Sequence, residues 1–134
     1  MIELLAAAEA RESFWAFRQY MRPKMVKGWW PREVAHELQA FYDELIEGLA
    51  PILILQAPPQ HGKSWAINDF ICWVMGKQPS LKQIFASFSE RLGVRANLYI
   101  QRVLDSERYK RVFPNTRLNS ANVVTKSGQY LRIS

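Results

Sequence analysis

Apolar residues recur at helical spacing through the first third of the chain and then gather into two short uninterrupted runs. Residues 2–21 are Ala-rich at first and then carry Phe14, Phe17 and Met21 on one side, which predicts a helix. Pro23 and the residues up to Trp30 break the pattern, with Arg22, Lys24 and Lys27 in the break. Pro31 suits the first turn of a second helix, where Val34, Leu38, Phe41, Leu45 and Leu49 repeat at helical intervals and Gly48 lies near the end. Residues 52–55, Ile-Leu-Ile-Leu, read as a short strand. A turn-rich loop follows, and residues 65–75 are apolar nearly all round, as in a helix covered on both sides. Gly76 and Pro79 end that helix.

The second half continues the alternation. Residues 83–88, Gln-Ile-Phe-Ala-Ser-Phe, read as a second strand, parallel to the first because a helix connects them. Ser87 with Glu90 has the form of a capping box for a helix over 90–106, which carries Arg91, Arg95 and Arg102. Residues 109–113 add a helical turn stopped by Pro114, and residues 122–133 alternate around Ser127-Gly128 as a hairpin. The sum predicts a three-layer α/β fold: a partial parallel sheet over residues 51–134, preceded by N-terminal helices over 1–50, in one structural domain.

Composition narrows the class without naming a function. With 134 residues, 49% of them hydrophobic and five tryptophans, the chain can bury a core and is not a disordered segment. Eighteen Lys and Arg against twelve Asp and Glu give a formal charge of +6, which allows a polyanionic partner such as DNA but is equally ordinary for a small basic protein. Cys72 is the only cysteine, so no intrachain disulfide forms; its apolar neighbours predict a buried spacer in a reducing compartment. No window reaches the length of a membrane span, and Glu3, Glu9 and Glu12 are unlike a secretory signal, so the expected location is the cytoplasm.

The chemistry sits between the first apolar run and the helix after it. Gly62-Lys63-Ser64, in the order strand, loop, helix, is the context of a phosphate-binding loop, here Pro59, Gln60, His61, Gly62, Lys63 and Ser64. Backbone N–H groups at a helix N-terminus converge on phosphate oxygens and add the helix dipole. Gly62 lets the backbone approach the anion, Lys63 reaches the terminal phosphates as the catalytic cation, and the Ser64 hydroxyl is the Mg ligand of bound ATP. The first position of the usual pattern, a glycine, is Ala57 in this chain. Outside such a context, Gly-Lys-Ser is a helix start with an exposed lysine.

Hydrolysis also needs an Asp that holds Mg and a Glu that activates water, both after an apolar strand. Beyond Ser64 the acids are Asp69, Glu90, Asp105 and Glu107, and none ends such a strand. The expectation is that ATP binds without its full hydrolytic apparatus.

The run Ser-Phe-Trp-Ala-Phe-Arg-Gln-Tyr-Met-Arg-Pro from Ser13, Ala-Pro-Pro-Gln-His-Gly-Lys-Ser from Ala57, Ala-Ser-Phe-Ser-Glu-Arg-Leu from Ala86 and Asp-Ser-Glu-Arg-Tyr-Lys-Arg-Val-Phe-Pro from Asp105 resembles large terminase subunits of tailed bacteriophages. These are ATP-driven motors that pack DNA into a procapsid. The resemblance runs from about Ser13 to the C-terminus and implies an ATPase core of the P-loop NTPase kind. It also implies double-stranded DNA, a small terminase subunit and a portal as partners, with the family's acidic pair and nuclease domain outside these residues. It places His36 or Gln39 near the nucleotide base, although His36 is as readily a helix-surface histidine. Arg95 and Arg102 become the candidates for reaching a neighbouring subunit's nucleotide, against the plainer reading of solvated arginines. Gln60 stands where the family often has an Arg, so that charge is missing from the loop. The alternative function is an inactive prophage remnant that contacts DNA or protein, and an uncovered sheet edge predicts self-association.

Overall fold

The computed structural model describes residues 1–116, and among these every regular element is a helix. In chain order they are α1 (Ile2–Glu12), α2 (Phe14–Met21), α3 (Trp29–Ile46), α4 (Lys63–Lys77), α5 (Glu90–Leu104) and α6 (Glu107–Val112). This corrects the expected three-layer α/β fold with its parallel sheet: residues 52–55 and 83–88 form no strand. The first run is uninterruptedly apolar, yet Ile52 is 88% and Ile54 77% exposed while Leu53 and Leu55 are half-buried. An apolar run is a property of one segment, whereas a strand exists only with a hydrogen-bonded partner. The expected hairpin over 122–133 lies outside the described residues. No described helix is long and apolar enough to cross a membrane.

The chain gathers into two compact units, Met1–Phe70 and Ile71–Ser134, with the boundary inside α4. In the first, the single helix expected over 2–21 is two. Ser13 sits in an extended conformation at φ −123° and ψ 123°, and its hydroxyl oxygen accepts from the Ala16 N–H at 3.2 Å. A serine that bonds the backbone ahead of it favours a helix start over helix continuation. Gln39 of α3 mends the joint: its Oε1 accepts from the Phe14 N–H and its Nε2 donates to the Glu12 carbonyl, each at 2.9 Å. Ala7, Ala10, Phe14, Phe17, Val34, Ala35, Leu38 and Tyr42 form the core between these helices. Phe70, from the first half of α4, meets Phe14 edge-on at 5.4 Å and Phe41 at 6.4 Å.

Asp69 and Arg18 are the charged residues buried in that core. Asp69 is 1% exposed and takes two bonds from the Arg22 guanidinium, at 2.8 and 3.1 Å, and one from Arg18 Nε at 3.3 Å. Burial lowers the Arg18 pKa, and the adjacent Asp69 carboxylate works against that shift. The Arg22 guanidinium also stacks 4.2 Å over the Trp65 ring.

The second unit buries Cys72, Trp73, Val74, Ala96, Ile100, Leu104, Tyr109, Val112 and Phe113, so the buried-spacer reading of Cys72 is correct. Helix α5 begins at Glu90 with Ser89 as its N-cap. The expected cap, Ser87, bonds instead to Ser89, donating to its carbonyl at 2.6 Å and accepting from its N–H at 3.3 Å. The Ser106 hydroxyl caps α6 by accepting from the Tyr109 N–H.

Two stability predictions arise here. The fully buried Tyr109 hydroxyl donates to the Cys72 carbonyl at 2.7 Å, and burial, with Cys72 second, pushes its pKa well above the ordinary phenol value. Above about pH 10 the unfolded chain releases this proton while the folded chain keeps it. The unfolded state then binds fewer protons, so stability is complete below that pH and falls above it, by up to about 1.4 kcal/mol per pH unit. Urea titrations across about pH 9 to 11 read this slope, and Tyr109→Phe should remove the part due to this residue.

Gly76, in the last turn of α4, has no room for a side chain, because a Cβ there would overlap the Phe113 ring. Helix propensity alone favours alanine by about 1 kcal/mol, whereas overpacking a buried ring costs about 1–3 kcal/mol. Gly76→Ala is therefore expected to destabilise on balance. Adding Phe113→Leu should recover part of the loss, and a gain in midpoint for Gly76→Ala alone would show that the ring moves aside.

Candidate phosphate-binding loop

Pro58 and Pro59 carry the chain into an exposed turn, and α4 begins at Lys63. Between them the backbone is unusual. Gln60 has φ 65° and Gly62 φ 78°, while His61 does not share the positive sign. Alternation of this kind turns successive N–H groups to one side and makes an anion-binding concavity. The conformation suits Gly62, which has nothing within 4 Å of the position a Cβ would take. It is strained at Gln60, and such strain gathers at functional turns.

Lys63 closes the loop. Its Nζ donates to the Ala57 carbonyl, six residues back, and the side chain is half-buried rather than extended into solvent. The first N–H groups of a helix have no intrahelical carbonyl to bond, and those of α4 lie immediately beyond Gly62. The first helical bond here runs from the Ala66 N–H to the Gly62 carbonyl at 3.0 Å. Ser64, the expected Mg ligand, is exposed on the first turn.

The loop is also held from its flank. The Trp30 indole Nε1 donates to the His61 carbonyl at 3.1 Å, and His61 Nδ1 lies 3.1 Å from the Pro59 carbonyl. Sequence reasoning missed the Trp30 contact, for which the chain carries no local signal. It also missed the Arg18–Asp69–Arg22 cluster, for which there was one: a lone Asp in an apolar helix, and two arginines four residues apart.

The remaining candidates fall elsewhere. His36 is exposed on α3, and both ends of the Gln39 amide are engaged at the α1–α2 joint. Arg95 and Arg102 lie seven residues apart on α5, both exposed. No group of three or more His, Cys, Asp or Glu among the described residues is placed to hold a metal ion. Ser64 is the expected Mg ligand, and one hydroxyl among the described residues does not make a resident metal site. An Mg ion arriving with ATP would complete its shell from phosphate oxygens and water.

Comparison with protein-family models, curated proteins and solved structures finds no match to this chain.

Proposed function

We propose that the loop from Ala57 to Ser64 binds the polyphosphate of Mg-ATP, and that the chain is the nucleotide-binding part of a terminase-like DNA-packaging subunit. The observation that carries the reading is the alternating backbone at Gln60 and Gly62, set against the first turn of α4 and closed by Lys63 on Ala57. The order of motifs shared with large terminase subunits supports the wider role, with double-stranded DNA, a small subunit and a portal as partners. The reading rests on the loop and its helix and involves no sheet. Binding is proposed and turnover is not, because the first acid after Ser64, Asp69, is engaged by Arg18 and Arg22. Calorimetric titration with Mg-ATP tests it. Heat of binding together with slowed hydrogen exchange over residues 60–65 is the expected result, and the absence of both at millimolar ligand would refute it.

A second reading, an interaction module built on association with other chains, is favoured by the large apolar side chains that face solvent. Ile52, Ile54, Ile84 and Phe88 are 77% exposed or more. Self-association is then expected to grow with concentration in light scattering, and a sharp monomer at high concentration would remove this reading. If DNA is the partner, retention should weaken as salt rises.

A further inference from the structure

We propose that Trp29 is the stacking platform for the base of the nucleotide whose phosphates the Ala57–Ser64 loop holds, an assignment that rests on the phosphate-loop reading above. Trp29 is the first residue of α3 and is 77% exposed. A single exposed aromatic is ordinary on a protein surface. This one differs in its connection to the loop. Its neighbour Trp30 is fixed by the indole N–H bond to the His61 carbonyl at 3.1 Å. The Trp29 ring then stands edge-to-face on Trp30, with centroids 5.9 Å apart and planes at 80°. Two contacts therefore connect the loop backbone to an indole that remains open to solvent.

The chemistry follows from the ring. An edge-to-face pair keeps the Trp29 indole oriented by Trp30 without covering both of its faces. A base gains from any π-face, so stacking contributes affinity with little choice among bases, and purines gain most from their larger surface. Lys24 and Lys27 are exposed in the segment leading to Trp29 and keep the approach positive for an anionic ligand. The two residues carried over by resemblance are less suited. Gln39 has both amide ends engaged, and His36 lies seven positions further along α3.

The test separates base from phosphate. Mg-ATP and Mg-tripolyphosphate are titrated calorimetrically into the parent chain, Trp29→Ala and Trp29→Phe, with far-UV circular dichroism to confirm that helix content is retained. The parent should bind ATP at least about tenfold tighter than tripolyphosphate. Trp29→Ala should lose that margin and leave tripolyphosphate binding unchanged, while Trp29→Phe keeps most of it. The platform is overturned if Trp29→Ala binds ATP as the parent does. It is equally overturned if both ligands weaken together, or if the parent does not distinguish them. A parent chain that binds neither ligand overturns the phosphate-loop reading and the platform with it.

Discussion

Asp69→Ala is expected to cost about 3–5 kcal/mol of folding stability. The carboxylate is 1% exposed and is the shared partner of two guanidiniums, Arg18 at 4% exposure and Arg22 at the end of α2. Removing it leaves the buried Arg18 charge beside the part-buried Arg22 charge with their shared acceptor gone. Burial already disfavours the Arg18 charge, and Asp69 is what opposes that effect. The loss approaches the whole stability of a small domain, about 5–15 kcal/mol. Arg22→Ala should cost less, because Arg18 still neutralises the carboxylate and the surrendered stack on Trp65 is half-open. Replacing Arg18 and Asp69 together by leucine should be far milder than Asp69→Ala alone, since no buried charge is left facing Arg22. Urea denaturation of the variants separates these cases. A loss below about 1 kcal/mol for Asp69→Ala would mean that solvent reaches the cluster.

The same residues show where reading a sequence succeeds and where it stops. Phe14 and Phe17, Val34 and Leu38, Ile100 and Leu104 are spaced so that one helix face buries them, and they are buried. That information is contained within a dozen residues. The sheet failed because the run Ile52 to Leu55 has the composition of a buried strand and cannot by itself supply a partner. The break at Ser13 depends partly on Gln39, more than twenty residues away, and the single helix read over residues 2–21 runs through it. In the site the division is the same. The turn at Gly62 is local and was legible, and the helix read over 65–75 runs from Lys63 to Lys77. The Trp30 bond to His61 and the charges around Asp69 join distant segments, and only the folded chain brings them together.

Lys63→Ala is expected to weaken Mg-ATP binding by about 2–4 kcal/mol, roughly 30- to 1,000-fold, while changing stability far less. In the ligand-free chain the ammonium is held by the Ala57 carbonyl, a neutral acceptor, and that bond contributes only about 0.5–3 kcal/mol. A triphosphate offers the same ammonium full negative charges, at a backbone already arranged by Gln60 and Gly62. On the proposed reading, affinity would come from exchanging a carbonyl for phosphate oxygens, so deletion of the cation should be felt in binding first. Lys63→Arg keeps the charge but presents a planar fork where a compact ammonium sat, and should recover only part of the affinity. Gly62→Ala probes the other half of the site: φ 78° is costly for alanine, so the loop should relax and binding fall even with Lys63 present. Calorimetry with circular dichroism distinguishes lost binding from lost folding. Undiminished Mg-ATP affinity in Lys63→Ala, at unchanged helix content, would place the nucleotide somewhere other than this loop.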